Sequence, residues 1–421
     1  MFTTFLRAAV LVGVSLPCWA TPAPLTLEAA LRLAVERSDA SRAAHASILG
    51  ATETLRMAGQ LPDPVLRVGI DNLPSTGPDR FSATRDSMTM KRIGLSQEWL
   101  SADKRLALEA AARAGVEREM TQQKVADAST RLQTALAYVD ASYSAEMLQL
   151  ATLMEHHAHE ELEASRARLS SATGSSQEVL FSTGARGTAE DDSADIRQQQ
   201  NQARLALQRW VGTMPDELAP MPSIAVSGES AYLERHPVIV AMQRSLDVAA
   251  QAAAVAGTNR RPNWTWEVSY GQRTGYSDMV SVGVTIPLAI APGERQDREA
   301  AAKLALVSKA EAELAEAMRT AIAEYQGLRS DDQRLQERIE RYRAGVVSVA
   351  AQRTSAVTAA YRSNHVDCAV RSAHRRWRVR HRAHDSPSTP GRNGVCGYAA
   401  QCRRQQENSL LARSDGARAA F

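Results

Sequence analysis

The chain has 421 residues, of which 44% are hydrophobic, 23% charged and 5% aromatic. Lys+Arg 50 against Asp+Glu 47 leave a net charge of +3, too balanced for a nucleic-acid footprint, while the length admits two or three domains with a sizeable core. Sparse aromatics with abundant Ala, Arg, Glu and Gln point to long helices, and no run of about 18 apolar residues is present to form a membrane-spanning helix.

Residues 1–20 have the form of a secretory signal. Arg7 supplies the positive start, Ala8 to Leu16 the short apolar stretch, and Cys18-Trp19-Ala20 the small residues at a cleavage site after Ala20. Lipid attachment at Cys18 is the alternative, although Ser15-Leu16-Pro17 suits it poorly. No cysteine occurs between Trp19 and Asp367, so an exported body would carry no disulfide framework.

The body reads as two copies of one unit. Glu36-Arg37 recurs as Glu234-Arg235, Pro62 as Pro262, Ile93-Gly94-Leu95 as Val282-Gly283-Val284, and Arg105 with Glu109-Ala110-Ala111 as Arg295 with Glu299-Ala300-Ala301. The offset falls from 198–200 to 189–190 because the polar stretch Leu73–Asp86 is longer than its counterpart at Thr274–Ser277. The first copy is expected over 21–215, with a strand hairpin at about 64–99 and a long helix pair at about 101–211. The second is expected over 216–364, with a hairpin at about 263–288 and a long helix at about 294–361.

Each copy is predicted to run helix, helix, strand, strand, long helix. Leu27, Ala30, Leu31, Ala34 and Val35 keep helical spacing behind Thr26 as N-cap, Asp39 opens the second helix, and Pro237 suits a first helical turn in copy two. The strands alternate. Leu66, Val68 and Ile70 oppose Arg67, Gly69 and Asp71, and Ile93 and Leu95 oppose Gly94 and Ser96. Trp264, Trp266, Val268 and Tyr270 oppose Asn263, Thr265, Glu267 and Ser269, and Val280, Val282, Val284, Ile286 and Leu288 oppose Ser281, Gly283 and Thr285. Segments of about ten residues with one apolar face suit a transmembrane barrel, and equally a sheet half-buried on a soluble core.

The helices discriminate between these two. Ser101–Thr173 holds no proline and one glycine, Gly115, and Glu294–Tyr361 no proline with Gly327 and Gly345. Seventy helical residues would span roughly 105 Å, too long for a compact globule and suited to a coiled coil or a helical barrel. A polar turn at Ala172, Thr173, Gly174, Ser175 and Ser176 should reverse the first long helix into a return helix at about Gln177–Trp210, capped by Gly212.

The ordered set of helix, hairpin and long helix, with Leu61-Pro62-Asp63-Pro64 entering the first strand, resembles the TolC family of outer-membrane efflux ducts. The segments Ala58–Pro64 and Met88–Glu98 are similar to its heavy-metal branch, the CzcC- and CusC-like ducts. The resemblance covers about residues 25–364. It implies a mainly α fold with a small β part, a homotrimer whose four strands per chain close a 12-stranded barrel, and a periplasmic helical barrel. Partners would be a periplasmic adaptor, a proton-driven inner-membrane pump and outer-membrane lipid. The exported substrate would be heavy-metal cations or drugs. Four strands alone would leave open edges, which lipid does not tolerate, so pooling of chains follows from physics as well. Arg67, Asp71, Ser281 and Thr285 would face the pore, and Trp264, Trp266, Val268, Val282, Val284 and Ile286 the lipid. Residues 172–176 would form the periplasmic tip. A secreted or periplasmic coiled-coil scaffold without a channel is the alternative.

No phosphate-binding loop, dinucleotide fingerprint or other catalytic constellation is visible, so neither an enzyme nor a cofactor is expected. His159-Glu160 begins a zinc-protease pattern that fails at Glu163. His156 and His159 share a helix face and are weak metal candidates, a solvated face being the commoner origin of such a pattern. Met88 and Met90 are likewise more often packing residues than copper ligands.

Residues 365–421 change character. They carry eleven Arg and no Lys, four His, Cys368, Cys396 and Cys402, and the helix-breaking run Ser386–Gly391. The internal symmetry pairs Thr173-Gly174 with Ser363-Asn364, after which a return helix like that of copy one should follow. The expectation is that the chain beyond about Asn364 is read out of frame; a genuine cationic tail is the alternative.

Overall fold

The computed structural model describes residues 24–214, 217–222 and 226–362; the signal segment and the Arg-, His- and Cys-rich tail lie outside the described residues. The elements follow in the order α1 (Leu27–Arg37), α2 (Asp39–Met57), β1 (Val65–Asp71), β2 (Met90–Trp99), α3 (Ala102–Ser170), α4 (Ser176–Val211), α5 (Glu229–Arg235), α6 (Pro237–Thr258), β3 (Trp264–Arg273), β4 (Met279–Thr285) and α7 (Gln296–Tyr342). A π-helical turn (Arg343–Val347) and α8 (Ser348–Arg362) close the list. The described residues fall into two compact units, one of 24–33, 137–222 and 350–362, the other of 34–136 and 226–349.

In the first unit α3 and α4 form an antiparallel hairpin. Ala137, Ala141, Ala151 and Ala158 are buried with Leu162, Leu207 and Val211, the small residues letting the backbones approach closely. Buried hydroxyls find partners: Ser165 donates to the Glu161 carbonyl one turn back (2.8 Å) and meets Ser182 of α4 at 2.9 Å. Gly212 ends α4 in the left-handed conformation (φ 90°) expected of a helix C-cap. Tyr138, with no exposed surface, donates its phenol hydrogen between the carbonyls of Leu25 (2.8 Å) and Ala219 (2.7 Å). It thereby fastens the parallel bridge between Leu25 and Leu218.

In the second unit α6 packs along α7, and Tyr232 of α5 stacks against Tyr325 of α7 at 5.3 Å. Pro237 occupies the first turn of α6, as its missing N–H allows, and α2 opens at Asp39 with Ser38 as its cap, the Ser38 hydroxyl accepting from Ser41 N at 3.3 Å. By length and mean hydropathy (1.2), α6 is apolar enough to cross a membrane. Its middle, however, carries Arg244, paired with Asp247 (3.1 Å) and with Glu117 of α3 (3.0 Å). The single helix expected over 294–361 is broken by the π-helical turn, where Gly345-Val346-Val347 combines a poor helix former with two β-branched residues.

His236, at the start of α6, lies edge-on to Tyr232 (5.1 Å), and its Nδ1 is buried without a hydrogen-bond partner among the described residues. Burial lowers its pKa from the ordinary 6.5, with Glu324 pulling partly back. Between the lowered value and 6.5 the unfolded chain binds a proton that the folded chain does not, so stability is complete above 6.5 and declines as pH falls through that window. Thermal melts followed by circular dichroism should show this decline below pH 6.5, and His236→Asn should flatten it.

Candidate functional site

The four strands form one antiparallel sheet in the order β1-β2-β3-β4, so the two hairpins of the repeat lie side by side. The register fixes which side chains share a face. Leu66 stands opposite Leu95, Leu95 opposite Val268 and Val268 opposite Val282, and Val68, Ile93, Tyr270 and Val280 form the next row. On the other face Arg67, Gly94, Ser269 and Ser281 make one row, and Val65, Ser96, Glu267 and Gly283 another. Strand alternation therefore carries through all four strands into one largely apolar face, with Lys91, Gln97 and Gln272 toward its ends, and one largely polar face.

Burial runs opposite to the rule for a soluble sheet. Val68, Val280 and Val282 expose 70–74% of their surface, with Leu66, Ile93, Leu95 and Val284 also exposed, whereas Ser96, Ser269, Gly94 and Gly271 on the polar face are buried. Fully burying one aliphatic side chain is worth roughly 1.5–3 kcal/mol. The apolar face thus forgoes an amount on the order of the whole net stability of a domain, about 5–15 kcal/mol. Such a face requires an apolar surrounding. Trp99 and Trp264 meet at 5.9 Å at the end of this face nearest α3, with Trp266 beside them, as an aromatic girdle requires. The outer edges of β1 and β4 pair with nothing among the described residues.

The polar face is crossed by ion pairs. Arg67 Nη1 reaches Glu267 Oε2 at 3.1 Å, and Arg92 bonds Asp71 (3.4 Å) and Ser269 Oγ (3.0 Å). Gly94 permits the close approach: a Cβ there would stand 2.8 Å from Ser269 Cβ and 3.3 Å from Val268 O. Gly283, on the same face, has open space. Gly94→Val is expected to cost about 1–3 kcal/mol by overpacking, and Gly283→Val to be near neutral. The yield of folded oligomer on unheated gels checks both.

No protein-family model matches this chain, and neither does any curated protein. Solved structures do. A membrane protein from Pseudomonas aeruginosa superposes with a TM-score of 0.72 at 16% identity, covering 88% of each chain. CusC, described in connection with transmembrane channel formation, gives 0.72 at 15% identity over 89% of this chain and 91% of that one. The outer-membrane protein VceC of Vibrio cholerae gives 0.66 at 18% identity, with coverages of 89% and 95%.

The fold is that of the TolC-like outer-membrane channels. In this chain Arg67, Asp71, Ser281 and Thr285 share the polar face, and Trp264, Trp266, Val268, Val282 and Val284 the apolar one. Ile286 lies one residue beyond β4, which ends at Thr285 rather than Leu288 because Pro287 has no N–H to donate to a ladder. Trp99, Arg92 and Glu267 were not among the expected site residues. Trp99 could have been found by extending the alternation of Ile93 and Leu95, whereas the ion pairs needed the register.

The predicted tip at 172–176 is a compact turn. The chain turns at Ala172 (φ 57°), and Thr173 N and Gly174 N both donate to Arg168 O (2.9 and 3.0 Å). Ser175 caps α4 by accepting from Glu178 N at 3.2 Å, and Glu178 pairs with Arg168 across the turn. Gly174 has no room for a Cβ, which would stand 2.9 Å from that of Arg168. His156 and His157 both face Glu160 (3.5 and 3.0 Å), His159 is exposed, and no group of three or more metal-ligating side chains forms among the described residues.

Proposed function

We propose that this chain is the outer-membrane channel of a tripartite efflux system, conducting solutes passively downstream of a proton-driven inner-membrane pump. The observation that carries it is the inverted sheet, with an exposed apolar face, a charged opposite face, and outer edges that pair with nothing among the described residues. Lipid can satisfy the first feature, and only further copies of the chain can satisfy the last. Three chains would supply twelve strands. The turn at 172–176 would form the periplasmic entrance and the docking point for an adaptor, opening between two packings of the helices.

Conduction asks for no catalysis and no tight site, since tight binding slows release. His156 and His159 are therefore left as a solvated helix face. Heavy-metal cations or drugs are the proposed cargo, on the strength of the sequence resemblance, with selection made upstream in the pump. The test is fractionation of cells expressing the full chain. The channel should sediment with outer membranes and extract only in detergent, as an oligomer that dissociates on heating. A chain that stays soluble in the periplasm would make it a scaffold instead.

The proposal for the tail is separate. If residues beyond about 364 are out of frame, each chain lacks the second return helix that the repeat demands, and the helical barrel has gaps. Translating the other two frames from codon 360 should yield a helix-patterned continuation like Gln177–Trp210; its absence from both would sink the idea.

A further inference from the structure

We propose that Glu267 sets the ion preference of the lumen by neutralising Arg67 across the sheet, an inference that rests on the channel function above. Arg67 lies on β1 and Glu267 on β3, two strand spacings apart, about 9–10 Å. The strand between them offers Gly94 beside Arg67 and Ser96 beside Glu267. With no side chain at Gly94, the guanidinium crosses over β2 and reaches the carboxylate at 3.1 Å.

The remaining charges of this face are also accounted for. Arg92 pairs with Asp71 one row nearer the β1–β2 loop, Arg273 stacks over Tyr276 at 5.4 Å, and Glu98 accepts a hydrogen bond from Asn263 at 2.7 Å. From Glu98 to Arg273 inclusive the polar face thus carries three cations (Arg67, Arg92, Arg273) and three anions (Glu267, Asp71, Glu98), four of these charges in two ion pairs, and the wall is locally neutral. Glu267 is the more sheltered partner of its pair (27% exposed against 62% for Arg67). Its loss leaves a permanently charged guanidinium projecting into a narrow lumen whose low-dielectric walls focus the field, once per chain.

The experiment is reconstitution of the purified full chain in planar bilayers under a tenfold potassium chloride gradient, reading the reversal potential. The wild type should reverse near zero, Glu267→Gln should shift toward the chloride potential, and Arg67→Gln toward the potassium potential. The double variant Arg67→Gln/Glu267→Gln should return to the wild-type value. These shifts should be large at 10 mM salt and fade at 1 M, where the screening length falls from about 30 Å to about 3 Å. Single variants that conduct with the wild-type reversal potential, or that shift in the same direction as each other, overturn the inference while leaving the channel intact. If Glu267→Gln does not assemble, Arg67→Gln alone decides, since the inference falls unless that variant shifts toward potassium. A wild-type chain that never conducts overturns the channel itself, and the inference with it.

Discussion

Val282→Arg is expected to prevent membrane assembly, whereas Ser281→Arg, one residue away, leaves assembly largely intact and changes conduction. Val282 stands in the row with Val268, Leu95 and Leu66 and exposes 73% of its surface on the apolar face. An arginine there costs roughly 2–4 kcal/mol per chain near the bilayer midplane, and every chain of an oligomer incurs it. Ser281 lies on the polar face opposite Ser269, where a guanidinium meets water and other charges. The yield of oligomer extracted from outer membranes measures both. Blocked assembly for Ser281→Arg with normal assembly for Val282→Arg would mean that the two faces are assigned the wrong way round.

The second large effect is expected at Tyr138. Tyr138→Ala should destabilise the unit that contains it by about 3–5 kcal/mol, because a fully buried ring leaves a cavity that α3 cannot close without bending. Tyr138→Phe keeps the packing and removes only the hydroxyl shared by Leu25 O and Ala219 O, a loss of about 0.5–1.5 kcal/mol. Leu25 O retains a second donor, Ala219 N, at 2.9 Å, which keeps that smaller figure modest. Denaturant midpoints of the two variants should therefore differ clearly. Equal losses would place the contribution in the hydrogen bonds rather than in the ring.

The repeat, the strand faces and the long helices were legible in the sequence because each rests on a local regularity. Period two in Trp264–Tyr270 and Met279–Thr285 fixes which side chains share a face whatever the strand pairs with. The absence of proline between Ser101 and Thr173 leaves nothing to stop a helix that in the structure runs for 69 residues. Thr26, Pro237 and Gly212 marked helix ends through chemistry confined to a few neighbouring residues, and Thr26 Oγ1 indeed accepts from Ala29 N at 3.2 Å. Ser175 took the cap of α4 within the predicted tip for the same reason.

Three things depended on residues far apart in the chain, and only the tertiary structure decided them. The pairing of Arg67 with Glu267 spans 200 positions and exists because the register sets Gly94 between them. The burial of Tyr138 depends on Leu25 from the start of the first repeat and Ala219 from the start of the second arriving together. The most consequential is the direction in which the sheet is inverted. Alternation states that two faces differ, but it carries no record of which one the rest of the protein covers. That choice is a property of the packing: Arg92 reaches over to Ser269 Oγ at 3.0 Å and the Ser269 side chain closes over Gly94, while Leu95 and Val268, flanked by the same strands, stay exposed on the other face.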